Sequence, residues 1–396
     1  MANTLSYTDA AAILNEVVKQ ATGQEALATT ATQDFVTVAQ IGLKTGYNAL
    51  VDGISQVLSR TIFSARAYNP HFRGLMRDTI AYGNHVRKVT NLWKPAVTDG
   101  HYTPTDGTTY GVKFHKPETI QTNFYGAVDW QDSISMLKDQ VNTAMQGPAE
   151  FGAFVTSRLT EMNNKRRVQD ESMARMALCN FIGGKMLGDT GNVIHLLSEY
   201  NAKTGLQLTK TTVWQPDNFK GFVQFVYSRV AELCSLMTED SAQYHTNLTI
   251  NGSNKIIMRH TPYDYQNVYL TAGNRFAFEM MALADTYHDT YLKMADTEAV
   301  NFWQDIKSPS SIKVFASYLA ADGTIKTQDA SKDTPATSDD VLGVIFDDEA
   351  IGVTTILDTA DTSPYNSEMR FWNIDFHSTY RYWNDFTENG VVLLLD

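Results

Sequence analysis

The sequence predicts an α+β protein in which long helices and strand-rich regions occupy separate stretches of the chain, and three observations predict it. Residues 149–186 carry a helical pattern with no proline. Residues 85–130 change to period-two alternation, and residues 308–366 are short strand candidates broken by turns. At 396 residues the chain exceeds the usual single-domain length, so two or three compact regions with sizeable cores are expected. Hydrophobic residues at 43% and aromatics at 11% exclude a wholly disordered chain, a fibrous repeat and a disulfide-rich mini-protein.

The elements follow in order. Residues 8–59 read as helical in pieces, with Ile13, Leu14, Val17 and Val18, then Leu50, Ile54, Val57 and Leu58, at helical spacing. The Thr- and Ala-rich stretch 21–34 between them has little to bury, so this region is an extended arm. In 85–130, Val86, Val89 and Leu92 face Ile120, Thr122, Phe124 and Val128 across a tip (93–117) rich in Gly, Pro, Thr and Tyr, which predicts a long hairpin. A tip of that length needs a function or an outside stabiliser, and a neighbouring subunit is such a stabiliser.

Gly147-Pro148 then opens a long helix, 149 to about 186, with Phe151, Val155, Met162, Met173 and Met176 on one face and Gly183-Gly184 marking its end. At 1.5 Å per residue it spans roughly 50 Å, a spine across a flat subunit. Residues 183–212 are expected to form a small sheet or loop region, followed by a second helix from Pro216 to about Met237. Short strand candidates then alternate with helical ones over 248–250, 263–270 and 275–283, and strands follow at 312–318 and 341–346, with a polar loop at 327–340. The tail 370–383 is aromatic at nearly every second place, which suits packing in a core or an interface.

Charge is unevenly spread. The net charge is −12, yet 60–94 holds seven basic residues (Arg60, Arg66, Arg73, Arg77, Arg87, Lys88, Lys94) against Asp78, a net of +6. From 322 to 396, fifteen acids stand against four basic residues, a net of −11. One end of a copy could therefore attract the other end of its neighbour in a head-to-tail contact. The alternative is that both runs are solvated faces of a monomer. On the first reading the contact residues are Arg66, Arg73, Arg77, Arg87, Lys88, Trp93 and Lys94 with the acidic run Asp347, Asp348 and Glu349.

No motif for catalysis stands out. The zinc-protease pattern, the phosphate-cradling glycine loop, the nucleophile elbow and the dinucleotide fingerprint are all missing from the sequence. His245, His260 and His288 with Asp264, Asp285 and Asp289 lack the close pairing of metal ligands, so no metal or cofactor is expected. Cys179 and Cys234 fit a reducing compartment, and no stretch reaches the roughly 20 apolar residues of a membrane span, so a protein that is neither secreted nor membrane-bound is expected.

The order of arm, basic stretch, hairpin, spine helix, mixed region and aromatic strand resembles the major capsid proteins of tailed phages, which share the Hong Kong 97 phage fold. Locally, 258–270 (MRHTPYDYQNVYL), 299–304 (AVNFWQ), 340–351 (DVLGVIFDDEAI) and 369–386 (MRFWNIDFHSTYRYWNDF) look most like the shell proteins of short-tailed phages. The resemblance implies an N-terminal arm at 1–84, an extended loop at 85–130, a peripheral domain from 131–215 and 361–396 that holds the spine helix, and an axial domain at 216–360. It implies a non-enzymatic subunit, assembled in the cytoplasm of a bacterial host, that forms an icosahedral shell as hexamers and pentamers. Its partners would be a portal protein, scaffolding or decoration proteins, and double-stranded DNA held without sequence-specific contacts. An encapsulin-like compartment shell and an enzyme with an unrecognised site are the alternatives.

Overall fold

The computed structural model describes residues 14, 15, 19, 72–77, 86–92, 118–137, 148–250, 253–273, 297–320, 322–364 and 366–396. Most of the arm, the hairpin tip 93–117 and the segment 275–283 lie outside them. The mixed helix and strand content agrees with the α+β expectation.

The hairpin base forms as its alternation predicts. β1 (Val86–Asn91) pairs antiparallel with β2 (Thr119–Phe124), with Val86 opposite Phe124 and Asn91 opposite Thr119. The chain then turns at Gly126, where a Cβ would lie 2.8 Å from the Tyr382 carbonyl oxygen, a contact only glycine tolerates. Beyond it β3 (Ala127–Leu137) joins a different sheet. Val128, expected on the hairpin, therefore belongs to another layer.

The spine helix α1 spans Pro148–Gly188, 41 residues or about 60 Å. Two expectations about it are corrected. Gly183 and Gly184 do not end it. They let other strands lie against it: a Cβ on Gly183 would sit 3.0 Å from Ala316 Cβ, and one on Gly184 would sit 2.6 Å from the Ser317 carbonyl oxygen. The buried stripe of its second half is also rotated from the methionine face. Met173, Ala174, Ala177, Leu178, Phe181 and Ile182 are buried, whereas Met176 is exposed.

After α1 come β4 (Val193–His195) and a short helix, α2 (Leu196–Thr204), where a sheet or loop region was expected. Helix α3 (Pro216–Leu236) starts with proline in its first turn, as predicted. The strands that follow are β5 (Leu248–Ile250), β6 (Ser253–Lys255), β7 (Gln266–Thr271), β8 (Thr297–Val300), β9 (Ile312–Val314), β10 (Ser317–Leu319), β11 (Ile325–Thr327) and β12 (Ala336–Ser338). The expected strand 312–318 is thus two short strands, and the polar loop 327–340 contains a third. The last are β13 (Val341–Asp347), β14 (Ile351–Thr362), β15 (Phe371–Asn384) and β16 (Gly390–Leu394).

Two sheets organise the body. The first has the order β4-β16-β13-β7-β8, with β13 antiparallel to both β16 and β7. Its central strands β13 and β16 are buried on both faces, so they read as continuous apolar runs. Alternate residues still serve different cores. Tyr269, Val344, Phe346 and Val392 join the α1 cluster, whereas Val268, Leu270, Ile345 and Val391 join a cluster with α2 and α3. The second sheet, β14-β15-β3, lies along α1, which it meets through hydrogen bonds from Tyr380 Oη to Asp170 and from Asn384 Nδ2 to the Ala177 carbonyl. Its middle strand is the aromatic tail, with Trp372, Ile374 and Tyr380 buried on one side.

Candidate subunit-contact site and its internal anchor

Four of the charged residues singled out in the sequence, Arg77, Lys88, Asp348 and Glu349, are paired within one chain. Residues 72–77 run into the body, where Phe72 and Leu75 are buried in the α1 core and Phe72 lies 5.7 Å from the Tyr269 ring. At the end of this segment the Arg77 N–H donates to the Val353 carbonyl of β14, and its guanidinium pairs with Asp348 at 2.8 Å. Asn267 Nδ2 donates to the other oxygen of Asp348. The Asp348 hydrogen bond keeps the Arg77 pKa above its ordinary value.

Lys88 is the second fixed point. In β1, Val86, Lys88 and Thr90 face inward while Arg87, Val89 and Asn91 face out, a consequence of the period-two geometry. The Lys88 ammonium reaches three carboxylates: Glu349 at 3.0 Å, Asp385 at 3.1 Å, and Glu388. Asp385 and Glu388 side chains are only 2% and 7% exposed. Arg259 adds a second cation, 2.8 Å from Glu388, and donates to Thr90 Oγ1 of the same strand. Burial pulls the Lys88 pKa down, but Asp385 and Glu388 together outweigh it and hold it above the usual lysine range. Burial pushes Glu388 up, against the pull of Lys88 and Arg259. Two cations shared among three carboxylates leave Lys88 charged.

The third acid of the run, Asp347, is buried and accepts from Thr261 Oγ1 at 2.7 Å and from the Glu349 N–H at 2.8 Å. Asn389 Nδ2 donates in turn to Thr261 Oγ1, and His245 bridges Asn389 and the Ile257 carbonyl. Burial raises the Asp347 pKa and lowers that of His245. Of the remaining predicted contact residues, Arg87 is exposed on the outer side of the ladder, Arg73 opens a short 3-10 turn, and Arg66, Trp93 and Lys94 lie outside the described residues.

Sequence reasoning missed Arg259, Asp385 and Glu388. Their separations from Lys88 of 171, 297 and 300 residues leave no local signal. It missed Lys185 as well, fully buried on the last turn of α1 and paired with Asp189 at 2.8 Å; burial lowers its pKa. Cys179 and Cys234 are free and buried, and burial pushes the Cys179 thiol up to about 12. Among the described residues no group of three or more His, Cys, Asp and Glu could hold a metal ion, and no helix is long and apolar enough to cross a membrane. What the cluster does is mechanical: it fastens residues 72–77 and the β1–β2 ladder to two turns of the body.

The family model for the Phi29-like phage major capsid protein matches residues 11–394, nearly the whole chain. The chain belongs to that family. It is a major capsid protein of a tailed phage, a structural subunit of the head shell in the virion. Among solved structures, the chain is similar to one in the capsid structure of Staphylococcus phage Andhra, at 12% identity and a TM-score of 0.56, covering 83% of this chain and 85% of that one. A chain in the structure of head fiber and inner core protein gp22 of native bacteriophage P68 is also similar, at 11% identity and a TM-score of 0.54, with 83% and 86% covered. These likenesses show a shared fold. No curated protein matches. Nothing in these findings supports the compartment-shell or enzyme alternatives.

Proposed function

We propose that this capsid protein builds its shell in the Hong Kong 97 manner, as hexamers and pentamers closing around double-stranded DNA. In this reading residues 1–84 are the arm, 85–130 the extended loop, 131–215 with 361–396 the peripheral domain, and 216–360 the axial domain. The subunit has no catalytic role. It meets a portal protein, and scaffolding or decoration proteins, during assembly in the bacterial cytoplasm.

The observation that carries this reading is the asymmetry of the β1–β2 ladder. Its inner side is fixed to the body by Lys88 and Arg259, while its outer side presents Arg87, Val89 and Gln121 exposed to solvent. A two-stranded ladder is marginal alone. One held on a single face and open on the other suits an element that also lies against a neighbour. Arg87 is then the contact residue the geometry favours. Arg77, Lys88, Asp347, Asp348 and Glu349 act first as the internal anchor, and the exposed Glu349 side chain can also meet a second copy. The net charge of −12 supports a lumen that does not grip the phosphate backbone, which leaves the genome mobile while it is packaged.

Negative-stain electron microscopy of the purified protein, alone and with its neighbouring phage proteins, tests this. Closed shells, hexamers or pentamers are expected. Persistent monomers in the presence of those partners would overturn the proposal.

A further inference from the structure

The two edges of the β14-β15-β3 sheet are treated differently. The β14 edge has a bulge between Thr355 and Leu357, and Met76 bridges its outer side at Val353. Both are devices that stop an edge from pairing with another chain. The β3 edge has neither. It runs eleven residues in unbroken register with β15, from Ala127 opposite Arg381 to Leu137 opposite Phe371, and contains no proline, lysine or bulge. No other described strand lies along its outer side. Trp130 and Leu137 on it are exposed.

The sequence of β3 is close to a palindrome in polarity about Asp132. Laid antiparallel to itself with Asp132 at the centre, Val128 stands opposite Met136 and Trp130 opposite Ile134, apolar against apolar. Asp129 stands opposite Ser135 and Gln131 opposite Ser133, polar against polar. The one unfavourable pair is Asp132 with itself, and each Asp132 carries its own counter-charge in Lys165 at 3.1 Å. A self-complementary edge is what an isologous contact requires, since a two-fold axis brings the same patch of both copies together. Icosahedral shells contain such axes.

We infer that β3 pairs with β3 of a second copy across a two-fold or local two-fold axis of the shell, merging two three-stranded sheets into one of six strands. The inference rests on the shell reading and adds a named contact to it. Across such a pair the two Asp132 Cα atoms are about 4.5–5.5 Å apart, within the range a disulfide spans.

The test is oxidation of assembled shells carrying Asp132→Cys, compared with Ser135→Cys, whose two copies would be separated by six residue positions along the paired strands. Cys179 and Cys234 are buried, so wild-type shells give a monomer band on non-reducing gels. A covalent dimer with Asp132→Cys but not with Ser135→Cys is the expected result. A monomer band from well-formed Asp132→Cys shells, or dimers from Ser135→Cys alone, would overturn the pairing. If wild-type protein forms no shells at all with its partners, it is the shell reading that fails.

Discussion

The five-stranded sheet and the β1–β2 ladder are both parts of one chain, yet they are held by opposite physics. The sheet is clamped between two apolar clusters, with Val344 and Phe346 reaching one side and Ile345 the other. The ladder touches the same body through Lys88, Arg259 and the Lys255–Glu118 pair, with Leu92 and Ile120 packed at the rim of the α1 core. Apolar burial is non-directional and scales with area, so it gives the body cohesion without fixing the direction of any one contact. Buried ion pairs demand geometry, so they fix an angle. The capsid protein uses the first for its mass and the second for the ladder fixed on it.

The comparison can be broken from the apolar side first. Trp303 is fully buried and donates its indole N–H to the Val341 carbonyl, so Trp303→Ala is expected to cost about 3–5 kcal/mol and lower the denaturant midpoint of the whole body. On the ionic side, Lys88→Met leaves Asp385 and Glu388 buried beside Arg259 alone, a loss of roughly 3 kcal/mol. Its signature is local: hydrogen exchange speeds up in 86–92 and 118–124 more than in β13. A general loss of protection would place Lys88 in the body's core instead.

The same cluster has a pH sign. The Lys88 pKa is raised on folding, so its contribution is complete below the ordinary lysine value of about 10.4 and fades as pH climbs past it. The stabilities of wild type and Lys88→Met should therefore converge in alkali. Smaller effects sharpen the contrast. Gly184→Ala drives a methyl toward the Ser317 carbonyl and the Phe386 ring and is expected to cost about 1–3 kcal/mol, visible as a lower thermal midpoint. Lys210→Ala breaks an exposed pair with Asp340 and should cost about 0.5 kcal/mol or less by denaturant titration.

Local rules made the regular elements legible. Pro148 and Pro216 open their helices where first-turn proline belongs, and the alternation of 86–91 and 371–384 appears as strands. What was not legible is whatever depends on a partner far along the chain. Gly183-Gly184 reads as a helix stop by propensity, and only the strands lying against it show that it is a contact surface. Gly126 hides a change of sheet because its constraint is the Tyr382 carbonyl, 256 positions on. Charge patterning singled out Arg77, Lys88, Asp348 and Glu349, which pair with one another. It could not say that they meet inside one chain, because attraction between opposite charges does not specify which copy supplies them.

One feature of the five-stranded sheet bears on how the protein is made. β16 is the last strand in sequence but sits inside the sheet, between β13 and the parallel strand β4, nearly two hundred residues earlier. During synthesis the open edge of β13 must wait while β14 and β15 are translated, and the core on both sheet faces stays incomplete until residues 390–394 exist. A nascent chain on the ribosome is thus an unfinished subunit until β16 is made.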